Sequence, residues 1–270
     1  MKLTFDIAEL MPYVNWIYFF HAWGLDGKPA EAKEDLKHEA EAVLESWQGH
    51  YQAYATFQLL EATSDGDDLL LGGLRIPMLR QQKPSAGSNY CLCLADFVRP
   101  LSSQIKDRAG VFATSFDVEA TTEHNDDAYL KMMSQVLSDR LAEAAAERMH
   151  QLVRTKYWGY APDEHLSMKD ILLERYQGIR PAVGYPSLPD TSVNFLLAQL
   201  LDFSEIGIRL TESGMMVPHA SVSGFIFAHP KARYFDLGKI GEDQLRDYAR
   251  RRGLPLELMR RFFGSRVIKR

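Results

Sequence analysis

Residues 176–186 read YQGIRPAVGYP, in which an arginine stands among two prolines and two glycines. Pro181 disfavours helical backbone at Arg180, so the sequence predicts an extended loop here that follows a helix. Gly184 has no Cβ and allows a ligand to approach the backbone closely. In such a loop, Arg180 can bind a carboxylate through two parallel hydrogen bonds. The segment therefore predicts a binding loop for a small anionic ligand, and an ordinary Pro/Gly turn is the alternative.

Helical periodicity dominates the sequence on both sides of this loop. Apolar residues recur every three or four positions along several segments, which is the spacing of one buried helix face. Ser167 lies three residues before Asp170, as in a capping box, and Gly178 is a typical residue at a helix end. The predicted helices span about residues 31–51, 126–157, 167–178 and 193–201, and two more begin near Glu242 and Pro255.

Short runs rich in β-branched and aromatic residues alternate with turn signals in the rest of the chain. The predicted strands include residues 55–59, 69–71, 111–114, 208–210, 222–227 and 234–237. Strands and helices come in blocks, without the strict alternation that parallel sheets produce. The sequence therefore predicts an α+β fold, with a mainly antiparallel twisted sheet and several flanking helices.

The composition is that of an ordinary soluble globular protein, with 270 residues of which 46% are hydrophobic and 25% charged. We expect residues 1–270 to form a single domain, in which residues 1–52 are a helical N-terminal arm packing on a core of residues 53–270. The formal net charge of −5 argues against general nucleic-acid binding, because phosphate neutralisation needs a clustered cationic surface.

The two cysteines, Cys91 and Cys93, bear on location and on metal binding. Cysteines two positions apart on a strand point to one face, so they are poorly placed for a disulfide, and no further ligands accompany them at metal-site spacing. No run reaches the roughly 18 apolar residues that indicate a membrane helix. We expect neither a metal site nor a membrane span, and a reducing cytoplasm as the location.

Several short sequence motifs around the arginine loop occur in the order that is found in one protein family. They are LRQQ at residues 79–82, CLADF at 93–97, DRLAEA at 139–144, YWGYAP at 157–162, TES at 211–213, ASVSG at 220–224 and DYARR at 247–251. With these words the chain resembles the S-adenosylmethionine-binding reactivation domain of cobalamin-dependent methionine synthase. The resemblance is dense from about Arg80 to Gly253 and thin before and after.

The resemblance implies a ligand site built on the arginine loop. The loop that holds S-adenosylmethionine in the family corresponds here to Arg180, Pro181, Ala182, Val183, Gly184 and Tyr185. An aromatic pair that lines the family site matches Tyr234 and Phe235, for which sheet packing is the alternative.

One position departs from the family pattern. The family has an early Asp-Trp word whose acid takes the ligand's amino group, and the equivalent here is Asn15-Trp16. An amide still accepts a hydrogen bond from an ammonium group, but the charge assistance is lost, so we expect weaker binding at Asn15. A solvent-facing Asn15 beside a buried tryptophan is the alternative.

Two carboxylates complete the predicted site. Glu143 and Glu174 align with family glutamates near the methyl-transfer site, and the resemblance implies that they are catalytic. Asp139, Glu143 and Glu147 form a row at i, i+4 spacing on one helix, which is mildly unfavourable in isolation. The row predicts either compensation by neighbouring groups or an electrostatic role, and a solvated charged face is the alternative.

The resemblance also implies a function. In the family, oxidised cobalamin is reduced by an electron donor such as a flavodoxin and is then methylated by S-adenosylmethionine. The sequence has no Asp-x-His-x-x-Gly cobalamin-ligating word and no thiol cluster for zinc. We therefore expect a free-standing reactivation module, with cobalamin carried by a separate methionine synthase. The alternatives are a non-catalytic docking or ligand-sensing module for a corrinoid protein, and reductive methylation of a different corrinoid methyltransferase.

Overall fold

The computed structural model describes residues 1–85, 87, 89–121 and 126–268. The strands are β1 (Lys2–Asp6), β2 (Gln52–Asp65), β3 (Asp68–Leu71), β4 (Leu74–Pro77), β5 (Asp107–Phe116), β6 (Arg209–Leu210), β7 (Met216–Val217) and β8 (Ser221–Ile226). The α-helices are α1 (Ile7–Leu10), α2 (Trp16–Ala22), α3 (Ala30–Trp47), α4 (Ala128–Leu152), α5 (Met168–Leu172), α6 (Asn194–Leu197), α7 (Glu242–Arg252) and α8 (Leu256–Phe263). No described helix is both long and apolar enough to cross a membrane.

A six-stranded antiparallel sheet forms the centre of the fold, with the strand order β4-β3-β2-β5-β8 and with β1 paired to β2. One hydrophobic core lies between the sheet and helices α3 and α4, and a second core contains the buried residues of α7 and α8. Because both faces are covered, residues 109–116 of β5 are buried at every position. The predicted α+β class with a mainly antiparallel sheet is confirmed.

Helix α4 packs across β2, β5 and β8. It begins after Asp127, whose carboxylate accepts hydrogen bonds from backbone N–H groups of the first turn. Buried alanines let it approach the sheet closely, and the Thr114 hydroxyl of β5 donates to the Ala142 carbonyl oxygen at 2.9 Å. A π-helix (Val153–Tyr157) continues α4, so helical backbone reaches Tyr157 as the sequence predicts.

The helix predicted to run from Ser167 to Gly178 begins correctly but ends early. The Ser167 side chain caps α5, which ends at Leu172, and Glu174 has a left-handed backbone with φ of 56°. Gly178 does not end a helix, but two features favour glycine there: its φ is 82°, and a Cβ would lie 2.5 Å from the Phe227 carbonyl oxygen. The glycine is therefore explained by its backbone conformation and by a close approach to the chain just after β8.

Three other local predictions differ from the structure, two of them only in part. The segment 193–201 contains only α6, preceded by a short 3-10 helix (Thr191–Val193), and the Asn194 amide ties it to the Gly214 carbonyl oxygen at 2.8 Å. Residues 234–237 form no strand, because Tyr234 and its neighbours are used for packing beside the arginine loop. The segment predicted as a helical arm also begins with β1, which pairs with β2.

The arginine loop (residues 179–186) starts as an extended segment along the free edge of β8. Its backbone hydrogen bonds join Ile179 N–H to the Phe227 oxygen (2.9 Å), Phe227 N–H to the Ile179 oxygen (3.0 Å), Phe225 N–H to the Pro181 oxygen (3.1 Å) and Val183 N–H to the Ser223 oxygen (2.8 Å). Pro181 fits this pairing because only its carbonyl group is required. At Gly224 the two segments are so close that a Cβ would lie 2.1 Å from the Pro181 oxygen.

Gly224→Ala should destabilise the protein, because the added methyl group collides with the backbone of the arginine loop. The loop must then leave β8 and lose backbone hydrogen bonds, and we expect the free energy of unfolding to fall by about 2–3 kcal/mol. Chemical denaturation measures this loss. Gly241→Ala is the matched control, since the atoms nearest to its methyl group are the ends of the Asp243 and Gln82 side chains, which can move aside, and not backbone. Equal stability of both variants would contradict the described packing.

Candidate functional site

A cleft of about 870 Å³ opens between α2, α4 and the arginine loop. Its lining includes most of the predicted site residues, namely Asn15, Glu143, Glu174, Arg180, Pro181, Ala182, Tyr185, Tyr234 and Phe235. Residues that the sequence did not assign to the site also line it, among them Tyr13, Tyr18, His21, Arg140, Glu147 and Asp236. The fold therefore gathers side chains from the N-terminus, the long helix and the arginine loop around one volume.

Two of the predicted loop residues lie elsewhere. Val183 and Gly184 line a neighbouring cavity of about 260 Å³, which also contacts Met215, Met216 and His219. Arg140, Glu143 and Tyr185 line both cavities. The two volumes are thus separated by a thin wall of side chains, and the segment after β6 borders the smaller one.

Arg180 is held at the cleft by groups on both sides of the loop. Only 9% of the residue is exposed, its Nη2 donates to Glu147 Oε2 at 2.7 Å, and its backbone N–H donates to the Tyr234 hydroxyl at 2.9 Å. Burial is the largest single influence and opposes the charge, but Glu147, with smaller contributions from Tyr176, Tyr234 and Glu143, outweighs it, and the pKa of Arg180 is held well above its ordinary value. Nε has no hydrogen-bond partner among the described residues, so the guanidinium retains an unused donor.

The acidic row on α4 is compensated residue by residue. Asp139 faces His219, with Oδ1 and Nδ1 3.0 Å apart, and Glu143 accepts a short hydrogen bond from the Tyr185 hydroxyl. Burial, followed by the Glu143 charge, raises the pKa of Tyr185, which keeps that hydroxyl a donor. Glu147 pairs with Arg180. Of the interpretations that the sequence left open, compensation fits the row and a freely solvated face does not.

Glu174 occupies an unusual backbone position where the chain leaves α5. Its φ of 56° places a non-glycine residue in the left-handed region, which turns its side chain toward the cleft. The residue is open to solvent, yet neighbouring protein displaces enough water to raise the pKa of its carboxyl group. Arg180 opposes this rise and Glu147 adds to it. Glu174 is therefore easier to protonate than an ordinary glutamate.

Asn15 has two roles in the structure. Its Oδ1 accepts a hydrogen bond from the Ile17 N–H at 3.1 Å and caps the start of α2, and the same residue lines the cleft. Trp16 beside it is half-buried and packs on Phe19. The helix cap is a structural reason for an Asn at this position, independent of any ligand.

Tyr234 and Phe235 both border the cleft but differ in their surroundings. Tyr234 directs its hydroxyl to the Arg180 backbone, whereas Phe235 is buried and packs edge-on against Phe97, with ring centroids 6.4 Å apart. The pair does not lie in a strand, so the sheet-packing alternative does not apply to it. Tyr234 offers the cleft a polar aromatic edge, and Phe235 offers an apolar one.

The sequence missed part of the cationic lining. Arg140 lies one helical turn before Glu143 and stacks on Tyr18, with its guanidinium carbon 5.9 Å from the ring centroid. Both residues line the cleft. The helical spacing of Arg140 and Glu143 was a signal that both face one side, but nothing in the sequence placed Tyr18 opposite them.

The cleft combines cations, carboxylates and aromatic rings at short range. Arg140 and Arg180 can receive an anionic group, Glu143 and Glu174 can receive a cationic one, and the surrounding rings can pack on a flat apolar group. This set of groups suits a zwitterionic ligand that carries an aromatic ring. Among the described residues, no group of three or more His, Cys, Asp or Glu side chains could hold a metal ion.

The part of the chain that forms this cleft is similar to known proteins. A family model described as vitamin B12 dependent methionine synthase, activation domain, matches residues 6–253. The crystal structure described as the MetH reactivation domain bound to AdoHcy is similar over 100% of this chain and 90% of that chain, with 35% sequence identity and a TM-score of 0.91. Every cleft-lining residue lies within the matched range.

Arg180→Ala should lower the free energy of unfolding by about 3 kcal/mol, because it removes the cation that is hydrogen-bonded to the buried Glu147 carboxylate. In a protein of this size the melting temperature falls by about 2–4 °C for each kcal/mol. Thermal unfolding followed by circular dichroism measures the change. Arg175→Ala, which removes an exposed arginine paired with Asp170, is the control and should leave the melting temperature nearly unchanged. Equal melting temperatures would show that the Arg180 pair is not structural.

Proposed function

This chain belongs to the activation-domain family of vitamin B12-dependent methionine synthase, and we propose that it binds S-adenosylmethionine and supports the reductive methylation of cobalamin. The observation that carries the proposal is the single cleft in which Arg180, Glu143, Glu174 and Tyr185 meet. It is supported by the similar MetH reactivation domain, which is described as bound to AdoHcy, the demethylated form of S-adenosylmethionine.

The groups of the cleft match the parts of the proposed ligand. The Arg180 guanidinium, which lines the cleft, would receive the carboxylate of the amino-acid tail, and Asn15 would accept a hydrogen bond from its ammonium group. Tyr234 and Phe235 would pack along the adenine. The backbone of Pro181 and Ala182, fixed against β8, would border the ligand and limit how it can turn.

The proposed reaction needs positioning more than covalent help from the protein. One electron from a donor such as a flavodoxin reduces cob(II)alamin to cob(I)alamin, whose cobalt electron pair then attacks the methyl carbon. The carbon–sulfur bond breaks, and its electrons stay on the neutral sulfur of S-adenosylhomocysteine. Methyl transfer removes cob(I)alamin and so draws the reduction forward by mass action. Glu143 and Glu174 would bring negative charge close to the sulfonium.

The proposed partner is the cobalamin-binding part of a separate methionine synthase. We place its docking face at residues 215–220, because Met215 is 47% exposed and this segment borders the smaller cavity that shares Glu143 and Tyr185 with the cleft. An exposed apolar side chain beside half-buried ones suits a transient interface. The free thiols of Cys91 and Cys93 fit a reducing cytoplasm.

Asn15 favours one alternative, a docking or ligand-sensing module without turnover. An amide in place of an acid removes a charge-assisted hydrogen bond to the ligand, which weakens binding without changing the docking face. A ligand-sensing module would still bind S-adenosylmethionine, and a pure scaffold would not. Transfer to a different corrinoid methyltransferase would use the same cleft, so only the choice of partner protein separates it from the main proposal.

Wild-type protein should bind S-adenosylmethionine, and Asn15→Asp should bind it roughly fivefold more tightly, because a charge-assisted hydrogen bond replaces a neutral one. Aspartate is an equally good helix cap, so α2 should be preserved. Isothermal titration calorimetry gives both dissociation constants. Asn89→Asp adds the same charge at an exposed position outside the cleft and should change nothing. Unchanged affinity in Asn15→Asp would mean that Asn15 does not face the ammonium group.

The reaction can be reconstituted with a cob(II)alamin-loaded methionine synthase that lacks its own reactivation domain. When this synthase is mixed with the protein, S-adenosylmethionine and an electron donor, we expect methylcobalamin to form. The absorption spectrum of methylcobalamin measures its formation. Glu143→Gln should slow this reaction more than it weakens ligand binding, because the proposed role of Glu143 arises after docking. Glu61→Gln, which lies outside the cleft and pairs with Lys106, is the control. A stable complex that forms no methylcobalamin would favour the docking module instead.

A further inference from the structure

A file of charged side chains of alternating sign leads from the cleft, which both Arg180 and Glu147 line, into the protein. Arg180 Nη2 donates to Glu147 Oε2 at 2.7 Å, and Glu147 Oε1 lies 3.7 Å from Arg154 Nη1. Arg154 in turn donates through Nε and Nη2 to the two carboxylate oxygens of Glu164, both at 2.8 Å. The side chains of Arg154, Glu147 and Glu164 are 0%, 9% and 5% exposed. The file therefore runs from the protein interior to the cleft.

The inner end of this file is rigidly built. The two-pronged bond to Glu164 fixes the plane of the Arg154 guanidinium, whose carbon also stacks 3.9 Å from the centroid of the Tyr176 ring. Arg154 is part of the π-helix that continues α4, a type of local widening that is frequent at functional sites. This anchoring holds the Arg154 guanidinium in one orientation beside Glu147.

In the middle of the file, the spacing between Arg154 and Glu147 leaves the Glu147 carboxylate able to hydrogen-bond to Arg180. Arg154 Nη1 and Glu147 Oε1 face each other without a hydrogen bond, since 3.7 Å is too long for one, and neither atom has another hydrogen-bond partner among the described residues. Arg154 thus supplies positive charge to the carboxylate without competing for Oε2. The strong hydrogen bond of Glu147 goes to Arg180 alone, apart from a long contact of 3.5 Å from the Tyr176 hydroxyl.

We infer that Glu147 is a positioning residue, which orients the Arg180 guanidinium for the ligand's carboxylate and is itself held in place by Arg154 and Glu164. The inference rests on the proposed function, since it presupposes that Arg180 receives an amino-acid tail. The hydrogen bond from Nη2 to Glu147 restrains the orientation of the guanidinium at the point where Arg180 lines the cleft. Glu147 itself need not touch the ligand and acts through Arg180.

The test uses a double-mutant cycle on the full chain with S-adenosylhomocysteine as the probe. Dissociation constants are measured by calorimetry for wild type, Glu147→Gln, Arg180→Gln and the double variant. Glu147→Gln should weaken binding roughly tenfold, and it should weaken it by no more than about twofold further when Arg180→Gln is already present. Independent effects that multiply in the double variant, or unchanged affinity in Glu147→Gln, would overturn the proposal.

A second probe separates positioning from a general disturbance of the cleft. 5′-Deoxy-5′-methylthioadenosine carries the same nucleoside and sulfur but no amino-acid tail, so its affinity should change by less than about twofold in Glu147→Gln. Equal weakening of both probes would show a structural role and would overturn the proposal. Wild-type protein that binds neither probe would refute the proposed function itself. If the wild-type protein binds S-adenosylhomocysteine and Glu147→Gln binds it equally well, only the positioning role is overturned.

Glu164, at the inner end of the file, provides a test if Glu147→Gln fails to fold. Glu164→Gln keeps a hydrogen-bond acceptor for Arg154 but removes the charge that balances it. We expect weaker S-adenosylhomocysteine binding with unchanged 5′-deoxy-5′-methylthioadenosine binding. Unchanged affinity for both probes in a folded Glu164→Gln protein would remove the anchor from the proposal and overturn it.

Discussion

The backbone pairing between β8 and residues 179–183 fixes the geometry on which the cleft depends. Loops are usually the most mobile part of a fold, but here the segment before and after Arg180 is hydrogen-bonded as an added strand. Gly224 permits the contact, because any side chain there would push the Pro181 carbonyl group away. Arg180 is thus presented from a sheet edge, and its side chain can enter the space beside α4 in a defined direction.

The fixed position of Arg180 places its charged guanidinium, together with the Glu147 carboxylate, in the protein interior. A buried ion pair seldom adds much stability, because desolvation offsets the attraction between the charges, whereas the loss of one partner is costly. The pair of Arg180 and Glu147, extended by Arg154 and Glu164, is therefore poorly explained as a stabilising device alone. Its position against the cleft gives it a second reason to exist, since an anion bound there meets a cation whose orientation is already set.

The sequence predicted what depends on local pattern and on the resemblance. Periodicity located α3 and α4, and the order of short words placed Arg180, Glu143, Glu174 and Tyr185 in one site, where the structure brings them around one cleft. It could not predict that Gly178 serves a contact with the chain after β8, because a glycine that ends a helix and one that allows close approach look alike in sequence. The burial of Glu147 was equally hidden, since an acidic row at helical spacing is usually solvated and only tertiary packing supplied its arginine.

The acidic row on α4 then acquires a meaning that spacing alone did not give. Residues four positions apart are separated by about 6 Å along a helix, so the row extends over about 12 Å of one face. Its partners change along that distance: Asp139 meets the exposed His219 beside the smaller cavity, Glu143 meets Tyr185 where the two cavities adjoin, and Glu147 meets Arg180 in the interior. A single helix thus connects the surface at residues 215–220 to the buried charges behind the cleft. Glu143 and Tyr185 border both cavities, so their hydrogen bond lies where the proposed docking face and the cleft meet.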